Sequence, residues 1–315
     1  MTAPQLEQRP LGQDGPLVDV IAVGTWAIGG TQWGPSDDDQ SVRALQAALD
    51  AGFTLIDTAD TYGEGRSEEC VGRAIQGRRQ EVFLSTKVGV LGNPTVGWKI
   101  DNSARHIREG CEASLKRLKT DTIDLFQLHW PVKDIPIEES LQALLALKEQ
   151  GKVRHIGISN FHAPELEAAV QHGKLASLQS PLSMLERGVL EDDLPAASRN
   201  GLGFLAYSPL ARGLLTGKFR GEAPTFAESD VRAHDPRFQG DAWQRNQRLL
   251  DGLTPIAEKH GRTLGQLAIN WVLCQPGVTA ALVGVRHAAQ AQEALGGQGW
   301  RLDEGDLAQI GVLLA

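Results

Sequence analysis

Apolar and polar positions follow two alternating spacings along nearly the whole chain. Short apolar runs end in glycine or polar residues, and each run is followed by a stretch with apolar residues three and four positions apart. The runs predict strands at 18–26, 54–56, 82–86, 123–128, 153–158, from 178, at 204–207 and at 280–283. The stretches predict helices at 39–51, 67–76, 103–118, 137–150, 163–172, 189–200, 242–260, 263–275 and 288–295.

Eight strands that each precede a helix predict a parallel sheet, because a parallel connection needs a crossover segment. Eight such units in 315 residues favour a closed (β/α)8 TIM barrel that forms a single domain over 1–315. The alternative is a doubly wound sheet with a second domain. That fold calls for a linker and a GxGxxG turn after the first strand, and GTWAIGGTQWG at 24–34 does not match the motif.

Two connections depart from the regular alternation. A loop with Gly92, Pro94 and Gly97 follows the third strand. A long polar stretch at 211–241, rich in Gly, Pro, Asp and Arg, follows the seventh strand. Since long loops in barrels often carry function, we interpret 211–241 as a lid and not as a domain boundary.

Composition narrows the function classes. Hydrophobic residues make up 41% of the chain and charged residues 22%, as in globular enzymes, and the formal net charge is -8. An acidic chain argues against binding to nucleic acid or to an anionic membrane surface. The polar start MTAPQLEQRPLG has no apolar run of a secretory signal, and the cysteines Cys70, Cys111 and Cys274 are far apart. We therefore expect a cytoplasmic protein with reduced thiols and no metal site.

The predicted strand ends carry a coherent set of acid–base residues. Asp57 follows the second strand with Tyr62 in its loop, Lys87 closes the third, and His129 follows the fourth. Catalytic groups of a βα barrel gather at these ends, so the four side chains are expected to meet. An ammonium beside a phenol lowers the pKa of the phenol, which predicts that Lys87 tunes Tyr62 as a proton donor to a carbonyl oxygen.

Other interpretations of these residues stay open at this point. A buried Asp57–Lys87 pair can be purely structural, and Tyr62 can be a surface turn residue. Lys87 can also be the Schiff-base nucleophile of an aldolase, although an ammonium paired with a carboxylate is a poor nucleophile. No Ser or Cys nucleophile with a neighbouring base is evident, so hydride from a nicotinamide is the natural partner of Tyr62.

At these residues the sequence resembles the aldo-keto reductase superfamily, and within it the bacterial general-stress-type members that favour NADP(H). The resemblance extends over nearly the whole chain. It rests on GTWAIGG at 24–30, LIDTADTYGEGRSEE at 55–69, LSTKVG at 84–89, RLKTDTIDLFQLHWP at 117–131, GKVRHIGISNF at 151–161, AYSPLARGLLTGKF at 206–219, SDVRAHDPRFQ at 229–239 and ALVGVR at 281–286.

The resemblance implies an NADPH-dependent aldo-keto reductase that reduces aldehydes or ketones, with a small carbonyl substrate and NADP(H), alternatively NAD(H), as cofactor. Tyr62 matches the proton donor, Lys87 its tuning residue, Asp57 the partner of the lysine, and His129 the residue that positions the carbonyl. Tyr207 matches the ring that stacks on the nicotinamide. The remaining cofactor contacts it implies are Thr25, Trp26, Asp57, Ser159, Asn160, Gln179, Ser208, Leu210, Arg212, Gly213, Lys218, Arg232, Gly284, Arg286 and Gln290.

The resemblance also outlines the substrate pocket. It places Trp26, Trp33, Trp98 and Trp130 around the carbonyl, while the alternative is that some of them only cover the top of the barrel. The chain ends at Ala315 soon after a helical segment, so we expect no long tail over this pocket.

Some positions depart from the family pattern. Position 182 is Leu, 285 is Val and 294 is Ala, where relatives often carry Tyr, Ala and Asn, which bears on the affinity for the nucleotide and on the preference for NADP. Some relatives, the β subunits of potassium channels, serve mainly as nucleotide-binding regulators, and a sensor with slow turnover is the alternative function.

Overall fold

A closed barrel of eight parallel strands forms the centre of the computed structural model, which describes residues 6–30, 32–93 and 95–315. The strands are β1 (Gln8–Pro10), β2 (Leu17–Asp19), β3 (Ile21–Gly24), β4 (Leu55–Asp57), β5 (Phe83–Val88), β6 (Val90–Asn93), β7 (Gly97–Ile100), β8 (Ile123–Leu128), β9 (Val153–Ser159), β10 (Ser177–Pro181), β11 (Gly203–Tyr207) and β12 (Val278–Gly284). The barrel runs in the order β3, β4, β5, β8, β9, β10, β11 and β12, and β12 pairs with β3 to close it. The predicted TIM barrel is confirmed.

Helices surround the barrel. They are α1 (Asp38–Asp50), α2 (Arg66–Ala74), α3 (Ala104–Leu118), α4 (Ile137–Glu149), α5 (Ala163–Ala169), α6 (Asp193–Arg199), α7 (Gly240–Lys259), α8 (Leu264–Leu273), α9 (Ala288–Leu295) and α10 (Glu304–Leu314). The last of them, α10, packs on α7. The main core lies between helices and strands, and a smaller cluster with Leu55, Leu125 and Leu205 fills the barrel interior. Among the described helices, none combines the length and the apolarity that crossing a membrane requires.

The predicted strand 18–26 is two strands in the structure. β2 pairs antiparallel with β1 in a hairpin, and the barrel strand begins only at Ile21. At Val20 the backbone changes partner, because its N–H donates to the Glu7 carbonyl and its carbonyl accepts from Ala281 in the barrel strand β12. The carboxylate of Asp19 also accepts hydrogen bonds from the backbone N–H of Thr54 at 2.6 Å and from its hydroxyl at 2.7 Å, which tie the end of β2 to the start of β4. Leu11 and Val18 of this hairpin region pack into the barrel interior.

The predicted loop after the third barrel strand also contains regular structure. β6 and β7 form an antiparallel hairpin in which Val90 pairs with Ile100 and Gly92 with Trp98. Gly92 has a φ of +94°, and a Cβ there would lie 2.0 Å from the carbonyl oxygen of Gly97. At the base of the hairpin the backbone N–H of Asp101 donates to the Gly89 carbonyl at 2.9 Å.

The long segment after β11 folds back over the open end of the barrel. It contains two short 3₁₀ helices, Ala211–Thr216 and Pro236–Phe238, before α7 begins. The backbone N–H of Val231 donates to the Gln32 carbonyl at 2.9 Å, and Arg212 Nη1 donates to the Val231 carbonyl at 3.2 Å. The segment is therefore tied to the loop between β3 and α1.

Candidate active site

Consecutive barrel strands end in the residues that the sequence singled out for acid–base chemistry. Asp57 is the last residue of β4, Lys87 lies near the end of β5, and His129 follows β8. Parallel pairing of β4 with β5 and of β5 with β8 brings these ends to one rim of the barrel. Tyr62 reaches the same place from the loop after β4, in the short 3₁₀ helix Tyr62–Gly65. The structure thus brings all four side chains together.

The ammonium of Lys87 is held at three points. Its Nζ donates to Asp57 Oδ2 at 2.6 Å, to the Thr58 carbonyl at 2.9 Å and to Tyr62 Oη at 3.4 Å. An ammonium has three donors, so this environment uses all of them. The side chains of the ion pair are 1% and 6% exposed. Lys87 is therefore a buried cation that contacts the Tyr62 hydroxyl and does not itself line the cavity.

Asp57 connects this ion pair directly to β10 and, through Ser85, to β8. Its Oδ1 accepts hydrogen bonds from Ser85 Oγ and from Gln179 Nε2, each at 2.9 Å. Ser85 Oγ accepts in turn from Gln127 Nε2 at 3.1 Å. Because every oxygen of the carboxylate has a donor, the negative charge is held in one fixed geometry.

Burial raises the pKa of Tyr62 well above its usual range, and the carboxylates of Asp57 and Asp60 act in the same direction. The sequence predicted the opposite, a pKa lowered by Lys87. The direction differs because the phenol lies in a water-poor site near two carboxylates, and one of them already pairs with the ammonium. Tyr62 consequently keeps its proton at neutral pH, which is the state that a proton donor needs.

His129 is a neutral imidazole beside this phenol. Burial and then the charge of Lys87 lower the pKa of His129 well below its usual range. The two rings meet edge to face, with 5.8 Å between the ring centroids of His129 and Tyr62. Among the described residues, Nδ1 of His129 has no hydrogen-bond partner. A substrate oxygen in the cavity would thus meet two neutral hydrogen-bonding groups, the phenol of Tyr62 and the imidazole of His129.

The next strand ends form a rigid polar cluster. Asn160 follows β9 with a left-handed φ of 63° and donates to the His129 carbonyl at 2.9 Å and to Ser159 Oγ at 3.1 Å. Its Oδ1 accepts from the hydroxyl of Tyr207 at 2.8 Å. These bonds fix the ring of Tyr207, which lines the same cavity as Tyr62. Gln179 also lines it, although its amide nitrogen is engaged by Asp57.

The start of the segment after β11 is conformationally strained. Ser208, Ala211 and Arg212 have φ values of 56°, 46° and 58°, and Gly213 has 88°. A side chain in the left-handed region costs about 1 kcal/mol or more, so such a run persists only where surrounding structure imposes it. Ser208, Arg212 and Gly213 line the cavity, and strain of this kind is typical of ligand-binding backbone.

Cationic side chains gather beyond this segment. Burial, followed by the charges of Arg232 and Arg286, lowers the pKa of Lys218. Asp230 neutralises Arg232 through two bonds of 2.9 and 2.6 Å, while Arg286 donates to the carbonyls of Trp33 and Pro35. Lys218 and Arg286 have no acidic partner within salt-bridge distance among the described residues. This end of the cavity is therefore suited to phosphate groups.

The tryptophans divide between the two ends of the cavity. Trp33 belongs to the cationic end, because Arg232 lies 5.2 Å over its ring and Arg286 binds its carbonyl. Trp26 stands between the ends, at right angles to Trp33 and 5.7 Å from the guanidinium of Arg212. Trp98 and Trp130 are 48% and 43% exposed and form part of the rim.

Nearly all residues predicted for the site surround one cavity of about 1140 Å³. Lys87 does not line it and lies behind Asp57 and Tyr62. The roles of these residues stay predictions. The predicted residues that line the cavity are Thr25, Trp26, Trp33, Asp57, Tyr62, Trp98, His129, Trp130, Ser159, Asn160, Gln179, Tyr207, Ser208, Leu210, Arg212, Gly213, Lys218, Arg232, Gly284, Arg286 and Gln290.

The sequence analysis missed several residues of the cavity. Val90 and Ile100 line it from the hairpin β6–β7, which NPTVG at 93–97 between two apolar runs could have indicated. Ser36 and Asp37 line it from the start of α1, where Asp37 caps the helix by accepting from two backbone N–H groups. Glu293 contributes from α9.

Asp60 is a further ionisable group that the sequence did not single out. Its Oδ1 is buried and has no hydrogen-bond partner among the described residues. Burial and the neighbouring carboxylate of Glu68 raise the pKa of Asp60 to about 8. Glu68 is held by Thr86 Oγ1 at 2.6 Å and by Arg117 at 2.7 Å. Asp60 therefore titrates close to neutral pH next to the catalytic candidates.

Comparison with known proteins agrees with this geometry. A family model described as the aldo/keto reductase family matches residues 20–314. Aldo-keto reductase YhdN of Bacillus subtilis is 40% identical over 98% of this chain and 94% of its own. The solved structure of glycerol dehydrogenase AKR11B4 from Gluconobacter oxydans superposes with a TM-score of 0.90 at 38% identity and covers 100% of this chain and 96% of that one.

Two further relatives carry a nucleotide in their names. Aldo-keto reductase yakc [NADP(+)] of Schizosaccharomyces pombe is 33% identical over 96% of this chain and 89% of its own length. The NADH-specific methylglyoxal reductase of Escherichia coli is 31% identical over 96% of each chain. Two relatives with similar sequence identity to this chain are thus named for different nucleotides.

Proposed function

The chain belongs to the aldo/keto reductase family of oxidoreductases that act on carbonyl compounds, and on that basis we propose that it reduces aldehydes or ketones to alcohols with NADPH, Tyr62 being the proton donor. The observation that carries the proposal is the position of the Tyr62 hydroxyl, which contacts the buried Lys87–Asp57 pair and lines the cavity beside His129. A donor phenol backed by a fixed cation is what carbonyl reduction requires.

The residues around the cavity fit a nicotinamide nucleotide. Asn160 and Ser159 supply amide and hydroxyl groups next to the ring of Tyr207, at the end where the catalytic candidates meet. Lys218 and Arg286 supply positive charge for phosphates at the other end. Buried polar atoms without partners among the described residues, Nε1 of Trp33 and Oγ of Ser36, lie along the same cavity.

When bound, NADPH supplies the hydride that reduces the carbonyl carbon. Tyr62 donates its proton to the carbonyl oxygen and becomes a phenolate. Lys87 stabilises this phenolate, because its Nζ already lies 3.4 Å from the hydroxyl and is held there by Asp57. His129 orients the carbonyl oxygen toward the phenol and, being neutral, does not compete as an acid.

The cationic end supports the preference for NADPH over NADH. A 2′-phosphate adds about two negative charges, and a planar guanidinium pairs well with phosphate oxygens. Arg286 is the strongest candidate for that contact, with Lys218 beside it and Arg232 partly neutralised by Asp230. NAD(H) is the alternative, as for the relative from Escherichia coli that is named NADH-specific.

The geometry gives the aldolase alternative no support. A Schiff base needs a lysine amine that a substrate can reach, and Lys87 is buried behind Tyr62 with all three donors engaged.

The proposed function is tested with purified protein by titrating the fluorescence of NADPH and of NADH and then adding an aldehyde. We expect tighter binding of NADPH and oxidation of the bound nucleotide that depends on the aldehyde. Tight binding without oxidation by a panel of aldehydes and ketones would favour the regulatory alternative. Absence of binding by either nucleotide would contradict the proposed function.

A further inference from the structure

The backbone of Gly29, in the loop between β3 and α1, lies directly against the turn that carries Tyr62. A Cβ on Gly29 would lie 2.6 Å from Gly63 Cα and 3.4 Å from the Tyr62 carbonyl oxygen. A Cβ on Gly63 would in turn lie 2.5 Å from Gly29 Cα. Carbon atoms in favourable contact are about 3.5–4.0 Å apart, so a side chain at either position needs a shift of about 1 Å.

The turn Tyr62–Gly65 depends on its neighbours for its conformation. The three residues after Tyr62 have left-handed φ values of 59°, 57° and 94°. Within the turn region, the N–H of Tyr62 donates to the Ala59 carbonyl and that of Glu64 to the Thr61 carbonyl, both at 3.2 Å. A left-handed run of this kind persists only where the surrounding structure imposes it.

Two neighbours pack closely on the turn. Gly29 contacts it at Gly63, and the side chain of Arg117 contacts it at Gly65, where a Cβ would lie 2.8 Å from Arg117 Cδ. Arg117 is itself fixed, because its Nε donates to the buried carboxylate of Glu68 at 2.7 Å. The turn therefore has little free space, and its position is sensitive to any atom added at Gly29.

The loop on the Gly29 side is anchored by hydrogen bonds. Arg66 Nη1 donates to the Gly29 carbonyl at 3.3 Å, and its Nη2 donates to Asp38 Oδ1 at 2.8 Å. At the start of the loop, the N–H and the Oγ1 of Thr25 both donate to the Asp57 carbonyl at 3.0 Å. Because the loop is tied to β4, α1 and α2, we expect an added Cβ on Gly29 to displace the turn.

Gly29 itself does not line the cavity, although other residues of its loop do. Farther along, the loop reaches the cationic end, where the Gln32 carbonyl accepts from the N–H of Val231 and the Trp33 carbonyl accepts from Arg286. A change at Gly29 should therefore affect Tyr62 more than it affects the binding of a nucleotide.

We propose that Gly29 is a positioning residue for the proton donor: because it has no side chain, the turn Tyr62–Gly65 lies close enough for the Tyr62 hydroxyl to reach Lys87. The inference rests on the proposed function. The distance from Lys87 Nζ to Tyr62 Oη is 3.4 Å, the longest of the three contacts of the ammonium, so a displacement of about 1 Å breaks it. A misplacement of about 1 Å lowers a catalytic rate by about 10²-fold.

Gly29→Ala and Gly34→Ala form a matched pair of variants. Both glycines lie in the same loop with left-handed φ values of 103° and 74°, but a Cβ on Gly34 would have no atom within 4 Å. With saturating NADPH, single-turnover oxidation on addition of methyl 4-formylbenzoate should slow by about 10²-fold in Gly29→Ala and by less than about threefold in Gly34→Ala. Fluorescence titration should show a Kd for NADPH within about threefold of wild type in both. Equal oxidation rates in the two variants would overturn the inference.

A double variant shows whether Gly29 acts through the Tyr62 hydroxyl. Adding Gly29→Ala to Tyr62→Phe should change the residual rate by less than about threefold, because the group that it displaces is already absent. A further loss of about tenfold or more would mean that Gly29 acts by another route, and would overturn the inference. A general loss of structure would lower the rate in both backgrounds.

The failure of the proposed function gives a different result. In that case wild-type protein does not oxidise NADPH with any aldehyde. Crystal structures of the two alanine variants still decide the inference, which predicts that the distance from Lys87 Nζ to Tyr62 Oη increases by about 1 Å in Gly29→Ala and stays unchanged in Gly34→Ala. An unchanged distance in both would overturn it.

A second matched pair serves if Gly29→Ala does not fold. Arg66 and Arg73 both lie on α2 and pair with carboxylates of α1, and only Arg66 also donates to the Gly29 carbonyl. Arg66→Ala should slow the oxidation by about fivefold, because the loop loses an anchor beside the turn, whereas Arg73→Ala should slow it by less than about twofold. Equal rates in these two variants would overturn the inference.

Discussion

Replacing Lys87 by methionine removes the ammonium that touches both Asp57 and Tyr62, and the structure allows its two consequences to be separated. The Asp57 carboxylate stays buried with two neutral donors, Ser85 and Gln179. Removing one partner of a buried ion pair costs about 3–5 kcal/mol. We therefore expect the free energy of unfolding of Lys87→Met to fall by about that amount, as measured by urea denaturation.

The loss of activity has a different origin. Coulomb's law with an effective dielectric constant of about 20 gives about 5 kcal/mol for an ammonium and a phenolate at the 3.4 Å between Lys87 Nζ and Tyr62 Oη. Part of this is lost to screening, so a decrease in kcat of about 10³-fold is expected. Fluorescence titration should show that NADPH binding is largely kept, because Lys87 does not line the cavity.

The double variant Asp57→Asn/Lys87→Met separates stability from catalysis. It leaves no buried charge without a partner, so at least half of the lost stability should return while kcat stays as low as in Lys87→Met. Ser85→Ala is the control, because it removes one neutral donor from Asp57 and should cost about 1 kcal/mol with kcat within a few-fold of wild type. The reasoning is refuted if Lys87→Met keeps kcat within tenfold, or if restored stability also restores kcat.

Three further predictions concern other parts of the chain. Asp60→Asn should raise the free energy of unfolding by a few kcal/mol at pH 9 and by much less at pH 5, as measured by urea denaturation. The reason is that a carboxyl group with a pKa of about 8 in the folded protein makes the wild type less stable as the pH rises from about 4 to 8. An equal gain at both pH values would contradict this. Arg286→Ala should raise KM for NADPH at least about tenfold and change KM for NADH less than about threefold in steady-state kinetics, and equal effects would rule out a contact with the 2′-phosphate. Lys119→Gly should raise the free energy of unfolding by about 1 kcal/mol, since Lys119 ends α3 with a left-handed φ of 54°, and Lys116→Gly inside the helix should lower it.

The fold was predictable from the sequence because the signal repeats. Eight apolar runs, each followed by a helical stretch, leave few arrangements other than a barrel, and the barrel in turn places Asp57, Lys87 and His129 at one rim. The break at Val20 was not predictable, since the backbone there changes its pairing from the β1 side to β12, which is distant in the sequence. The hairpin β6–β7 was missed because Gly92, Pro94 and Gly97 favour a loop at this place in the sequence.

The pKa shifts in the site were harder to predict from the sequence than the residues that form it. From the sequence, Lys87 is a neighbour of Tyr62 and should lower its pKa. The direction of the pKa shift depends on how deeply the phenol is buried and on its distances to charged groups. In the structure the phenol of Tyr62 is buried, and the carboxylates of Asp57 and Asp60 are close enough to raise its pKa. The buried Asp60 Oδ1, which has no hydrogen-bond partner among the described residues, could not be predicted either, because the lack of a partner leaves no pattern in a sequence.

The most direct test of the central claim compares the wild type with Tyr62→Phe in two assays, fluorescence titration of NADPH and single-turnover oxidation of bound NADPH on addition of methyl 4-formylbenzoate. The variant removes only the hydroxyl that contacts Lys87. Assignment of Tyr62 as the proton donor predicts binding of NADPH within about threefold of wild type and oxidation slowed by at least about 10³-fold. Oxidation at close to the wild-type rate would show that another group delivers the proton, and parallel loss of binding and oxidation would assign Tyr62 to the cofactor site instead.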